Sequence, residues 1–364
     1  MKFFVSAAAI VAVAATIVQG APTTRSAAPT MYVFGDSLSD IGTLRQLTLG
    51  LLPPPPYWKG RFSSGPVWNE YLSKLRGLNL YNKAIGGATT NNTNSALLDF
   101  LPIDLPIDIP STEQQIKFFK AIKPKYSTSG TRDEDWAVLE GGANDFFGRM
   151  FDLSTNTLTV NAFVEMTTDS IITQLESLRQ FGFKNFLVTD LAGIQSTPFA
   201  DILNMQDIAA ETVTRFNTVL ATKFNAWAGS AQGISFHAIA EIGKFVEVTV
   251  ASDAIQTALG LSNVKTSCVG GNTLNLVQSD NKLEALLKMV LNVKEDLMCS
   301  DPSSYYFFDF VHPAEKIQRL FGYYSNELLD AVQQGKALEM TEPVLLDIIQ
   351  KKSLGSEVAK PVQV

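Results

Sequence analysis

This sequence is poor in the residues that build metal and redox sites. Only two histidines, His237 and His312, and two cysteines, Cys268 and Cys299, occur in 364 residues. A site of three histidines is excluded, and so are a zinc–cysteine cluster and a disulfide-dense scaffold. No H-E-x-x-H, G-x-G-x-x-G or G-x-S-x-G stretch is present. The zinc-protease, dinucleotide-binding and nucleophile-elbow plans therefore fall away. Positive charge is scarce too: 29 Lys and Arg stand against 36 Asp and Glu, a formal net charge of −7. That balance argues against a nucleic-acid partner. Beyond the first twenty residues no apolar run approaches the ~18 residues of a membrane span, so no integral membrane segment is expected. No metal and no other cofactor is expected either. The 46% apolar content is ample for a packed core.

The first twenty residues read as a secretory signal peptide. Lys2 gives a basic start, Phe3 to Val18 an apolar run, and Val18 and Gly20 the small residues before a cut at Ala21. A secreted, extracellular protein is expected. In an oxidising compartment Cys268 and Cys299 most simply pair with each other. The bridge would close a loop of about 30 residues and stabilise by roughly 3–4 kcal/mol.

Residues 21–30 form a polar lead-in, and 31–340 are read as one domain. Short apolar runs recur at Met31–Phe34, Leu78–Ile85, Trp136–Leu139, Phe186–Val188 and Ile234–Ala238. Helical stripes lie between and after them. Val164, Ile171, Leu175 and Leu178 form one, closed by Gly182. Val213, Phe216, Leu220, Phe224 and Trp227 form a second, and Ile317, Leu320, Phe321, Tyr324 and Leu328 a third. Strands alternating with helices imply a mostly parallel sheet covered on both faces. Functional residues of such sheets gather beyond the strands' carboxyl ends. Pro53–Pro56, the Leu101–Pro110 repeat and an insertion at about 240–305 interrupt the rhythm. Residues 341–364 are read as a C-terminal tail, polar from about Lys351.

The candidate chemical groups stand directly behind the apolar runs. Gly35-Asp36-Ser37-Leu38 puts a serine on a turn after a strand. Ile85-Gly86-Gly87-Ala88 and Gly142-Ala143-Asn144-Asp145 come after the next two runs, and Asp309-x-x-His312-Pro313 stands near the C-terminus. Each is an ordinary turn or cap when taken alone. Together they supply an acyl-transfer site. Ser37 is the nucleophile, His312 its base, and Asp309 holds the imidazole. The N–H groups of Ser37 and Gly87 and the Asn144 amide form the oxyanion hole.

These blocks resemble the GDSL lipase/esterase family of the SGNH hydrolases, in its plant-type, phospholipase-like branch. The match is in order: Gly35 to Leu38, Asn82 to Thr90, Gly142 to Asp145 and Asp309 to Pro313. Gly60 to Trp68, Asp190 to Pro198 and Cys299 to Pro302 extend it over roughly residues 31–330. The resemblance implies a three-layer α/β/α sandwich, flavodoxin-like, with about five mostly parallel strands. It implies a serine ester hydrolase with the Ser37, Asp309 and His312 triad. Either Gly86 or Gly87 can be the backbone oxyanion donor; the family pattern favours Gly87. The implied substrates are small-molecule, lipid or acylated-polysaccharide esters, and a monomer is expected. A catalytically silent carbohydrate- or lipid-binding module on the same fold is the competing reading.

Other residues have structural readings. His237 fits a strand with an ordinary hydrogen-bond partner. Asp36, Asp40 and Asp145 fit turn and cap formers, and Arg61 fits an ion pair at least as well as a contact with an anionic head group. Leu49, Leu51, Leu52, Tyr57 and Trp58 fit packing under a loop better than a lipid contact. Asn91-Asn92-Thr93 is the one N-glycosylation sequon, with Asn91 as acceptor.

Overall fold

The structure, a computed structural model, describes residues 28–91, 108–126, 133–270 and 298–355. The expected signal peptide, most of the lead-in, sequon residues 92–93, most of the Leu101–Pro110 repeat, residues 271–297 of the insertion and 356–364 of the expected tail lie outside them.

Five strands form the main sheet: β1 (Thr30–Phe34), β2 (Asn79–Asn82), β3 (Trp136–Leu139), β4 (Asn185–Thr189) and β5 (Phe236–Ala240). Their order is β2-β1-β3-β4-β5, and every pairing is parallel. A separate parallel pair joins β6 (Asn263–Ser267) to β7 (Tyr305–Phe307). The helices are α1 (Thr43–Leu47), α2 (Trp68–Leu75), α3 (Thr112–Tyr126), α4 (Ala143–Ser154), α5 (Val160–Phe181) and α6 (Pro198–Leu203). They continue with α7 (Gln206–Ser230), α8 (Ile242–Ala251), α9 (Asp253–Leu259), α10 (Glu315–Gln333) and α11 (Glu342–Lys352).

The central strands β1, β3 and β4 are mainly apolar because both faces are buried. Successive side chains point to opposite faces. Tyr32 and Phe34 of β1 enter one core with Phe119 of α3, Phe146 of α4, Leu175 of α5 and Phe216 of α7. Met31 and Val33 enter the other with Trp68 of α2, Phe245 of α8 and Leu320 of α10. The result is the expected three-layer α/β/α sandwich. Gly182 caps α5 at φ 119°, the left-handed conformation that glycine tolerates at a helix C-terminus.

Three features differ from expectation. The 78–85 run yields a strand only over Asn79–Asn82, and the fifth strand begins two residues late, at Phe236. The insertion contains α8 and α9 but also β6, whose partner β7 begins where the insertion ends, at Tyr305. The region expected to be a tail contains α11, whose Leu345, Ile348 and Ile349 are buried on one face, with Leu354 beyond it. Lys351 and Lys352 make that segment look polar, yet the i, i+3, i+4 spacing of its apolar residues seals the second core.

Strand order reverses between β1 and β3, which makes their carboxyl ends a topological switch point.

Candidate active site

Ser37 lies on the turn after β1, and that turn is clamped from three directions. Gln115 of α3 bonds both sides of the Gly35 peptide unit, accepting from its N–H at 3.0 Å and donating to its carbonyl at 2.9 Å. The Asp36 N–H donates to Glu140 Oε2 at 2.9 Å. Asp36 Oδ1 accepts from Leu38 N at 3.0 Å. Glycine at 35 is required by proximity: an added Cβ would lie 2.6 Å from Glu140 Oε2. Asp40 accepts the N–H groups of Gly42, Thr43 and Leu44, capping the first turn of α1.

Asp309 and His312 share the turn that follows β7. Asp309 Oδ1 accepts the backbone N–H groups of Val311 and His312 at 2.8 and 2.7 Å. Phe308 N donates to the His312 carbonyl at 2.8 Å and closes the turn. His312 Nδ1 then sits 2.7 Å from Asp309 Oδ2, and Nε2 sits 2.7 Å from Ser37 Oγ. With Asp309 accepting at Nδ1, that nitrogen carries the proton and Nε2 is free to accept from the serine. Burial alone would raise the Asp309 carboxyl. The facing His312, the Tyr57 hydroxyl and a backbone N–H outweigh it and hold the group below its usual range.

The turn hangs from the braced β6–β7 pair. Cys268 and Cys299 are disulfide-bonded. Cys268 N donates to the Phe307 carbonyl, Val269 N to that of Phe308, and Cys299 N to that of Cys268. The bridge thus adjoins the strand that delivers Asp309.

The glycine block and the start of α4 complete the surroundings. Asp40 Oδ2 accepts the Gly86 N–H at 2.8 Å, so that donor is already engaged. Gly87 has φ 85°, which disfavours any side chain there. Asn144 Nδ2 donates to Asp36 Oδ2 and to the Ala88 carbonyl, each at 3.0 Å. Asp145 binds both the N–H and the hydroxyl of Thr90, tying α4 to the glycine block, and burial pushes its carboxyl up to about 6. Asp36 and Glu140 are buried together. Burial pushes both upward, and Glu140 goes further because it also faces the Asp36 charge.

A cleft opens over Ser37 and His312. Its walls are mainly apolar and include Leu38, Phe147, Ile194, Val246 and Phe307. Its empty volume, open mouth included, is about 530 Å³.

The remaining candidates fall elsewhere. His237 lies on the edge strand β5, largely exposed and edge-on to Phe224. Arg61 is paired with Glu70 at 2.6 Å. Asn91 is partly exposed. Leu52 and Tyr57 are buried, as packing under a loop requires, while Leu49 is 93% exposed. The sequence reading overlooked Glu140 and Gln115 and gave Tyr57 only a packing role. The Tyr57 hydroxyl donates to Asp309 Oδ2 at 2.6 Å. These three act across 104, 80 and 252 positions, and no local pattern marks such contacts.

A family model described as GDSL-like Lipase/Acylhydrolase matches residues 31–324. The chain belongs to that family. It is 27% identical over 274 residues to a phosphatidylcholine-sterol acyltransferase of Aeromonas hydrophila, covering 74% of this chain and 73% of that protein. It is 22% identical over 331 residues to GDSL esterase/lipase 6 of Arabidopsis thaliana, covering 81% and 85% respectively. Among solved structures, Est24, a carbohydrate acetylesterase from Sinorhizobium meliloti, aligns over 83% of this chain and 99% of its own, with 12% identity and a TM-score of 0.41. This GDSL-family protein is a carboxylic ester hydrolase.

Proposed function

We propose that this GDSL hydrolase is secreted and cleaves esters through an acyl-enzyme on Ser37. The observation that carries the reading is the unbroken path from Ser37 Oγ to His312 Nε2 and from His312 Nδ1 to Asp309, each step 2.7 Å. Ser37 Oγ attacks the ester carbonyl while His312 Nε2 takes its proton. Asp309 keeps the imidazole oriented and stabilises it when charged. His312 then protonates the leaving alcohol. Water, deprotonated at the same nitrogen, releases the acid and restores Ser37.

The tetrahedral oxyanion is received by the N–H groups of Ser37 and Gly87 and by Asn144. Engagement of the Gly86 N–H by Asp40 supports Gly87 as the glycine donor. Asn144 must release the Ala88 carbonyl to serve, because both of its amide hydrogens are donated in the free site. A full negative charge competes well for that hydrogen against a neutral carbonyl.

The apolar walls beside Ser37 favour an acyl chain longer than acetyl. A lipid ester therefore fits better than an acetylated polysaccharide, and the family's lipase members point the same way. The alignment of hydroxyl, imidazole and carboxylate favours an enzyme over a catalytically silent module. Ser37→Ala tests the reading: ester turnover should fall by on the order of 10⁶. A drop of only a few-fold would reject it. A chain-length series of p-nitrophenyl esters, run beside phosphatidylcholine and acetyl-xylan, separates the substrate classes.

A further inference from the structure

We propose that Tyr57 is a positioning residue of this site: its hydroxyl locks the Asp309 carboxylate in the orientation that holds His312. The inference rests on the hydrolase reading above but concerns a residue that reading does not use. Asp309 Oδ2 receives both Tyr57 OH, at 2.6 Å, and His312 Nδ1. Asp309 Oδ1 is filled by two backbone N–H groups. The carboxylate thus has four partners and no freedom to rotate. Tyr57 is the one side-chain donor among them from outside the Asp309–His312 turn, and it comes from 252 positions earlier in the chain.

The phenol is itself immobile. Its ring lies 5.5 Å from Phe62 and 5.3 Å, edge-on, from Phe308, and Phe62 lies 4.9 Å from the His312 ring. Tyr57 N donates to the Pro54 carbonyl and Trp58 N to that of Ser63, so the backbone on either side is held. Burial and the facing Asp309 keep the hydroxyl protonated, hence a donor. A donor on Oδ2 draws charge away from the imidazole side. It fixes geometry at the cost of some stabilisation of the imidazolium. Asp36, from the Ser37 turn, is a further carboxyl that acts on His312 among the described residues.

Tyr57→Phe removes the hydroxyl and keeps the ring packing. The chain carries only two histidines, so the ring protons of both can be followed by NMR as pH is varied. In Tyr57→Phe the His312 midpoint should rise by about half a pH unit while His237 stays put. The acid limb of kcat on a soluble p-nitrophenyl ester should move with it. Plateau kcat should fall about tenfold, with KM changed less than about twofold. Replacing Tyr57 by 3-fluorotyrosine, a stronger donor of similar size, should move the His312 midpoint the other way. It also keeps the question answerable if Tyr57→Phe folds poorly. An unmoved His312 midpoint in folded variants would overturn the proposal. So would a fall in kcat with no change in either pH profile, which would make Tyr57 packing alone. The NMR titration is read on resting protein, so a failure of the hydrolase reading under Ser37→Ala stays distinguishable from a failure here.

Discussion

Glu140, the last residue before the Gly141–Gly142 turn, accepts the N–H of Asp36, the residue before Ser37, at 2.9 Å. The turn after β1 and the start of α4 are thereby one unit: Asp36 in turn holds Asn144 through its own carboxylate at 3.0 Å. Ser37 and Asn144, the proposed nucleophile and oxyanion donor, thus share a pair of buried acids as supports.

Removing that support should be costly. Glu140→Ala leaves the Asp36 N–H unpaired in the interior and opens a cavity, so urea unfolding should show a loss of about 3 kcal/mol. Glu140→Gln keeps an acceptor and should lose less than about 1 kcal/mol. Gly35→Ala drives a methyl against the Glu140 carboxylate. It should destabilise by about 2 kcal/mol alone and by clearly less in the Glu140→Ala background, where the clash is gone. Equal penalties in both backgrounds would refute the clash.

Asn144→Ala deletes the side-chain amide of the proposed oxyanion hole. Its kcat on a soluble ester should fall about 10²–10³-fold with KM little changed. Because Asp36 also loses a partner, a modest decrease in thermal midpoint should accompany it. A rise in KM at constant kcat would assign Asn144 to substrate binding instead.

Asp190 gives a stability signature in pH. Burial pushes its carboxyl up to about 8, against about 3.9 in an unfolded chain. The folded protein therefore holds a proton that the unfolded chain releases. The associated stability is complete below about pH 4 and is lost as pH rises towards 8. Asp190→Asn keeps an oxygen for the Gly243 N–H, which Asp190 Oδ1 accepts at 2.8 Å. Relative to the variant, the wild type should lose on the order of a few kcal/mol in urea unfolding between pH 5 and pH 8. Parallel curves would show that Asp190 titrates normally.

Cys268→Ala with Cys299→Ala opens a loop spanning a sequence separation of 31. The expected loss is roughly 3–4 kcal/mol by denaturant unfolding. The bridge adjoins β7, which leads directly into Asp309. Esterase activity should consequently fail at lower denaturant than the helical signal. Coincident transitions would mean the ribbon and the main sheet unfold together.

Much of this architecture is legible in the chain because the informative residues are contiguous. Both-face burial writes itself as unbroken apolar runs in β1, β3 and β4, and Gly182 marks the end of α5 with a conformation other residues avoid. The proposed chemical groups sit in four short strings, each attached to the end of an element. The features that escaped reading depend on distant partners. Glu140 looks like an ordinary acidic residue after a strand, and Tyr57 like one more aromatic beside prolines, until folding brings Asp36 and Asp309 to them. β6 carries Asn263, Lys265 and Thr266, with no apolar alternation to announce it, and its partner β7 is three residues long. In α11 the paired lysines mask three buried apolar side chains.

Ser37 and His312 meet across 275 positions of chain. A polypeptide cut short before Asp309 could still form much of the sheet and carry Ser37, yet it would lack His312, the base of the proposed mechanism. On that mechanism ester turnover is acquired only once Ser37 and His312 have met, and its onset during refolding would time that closure.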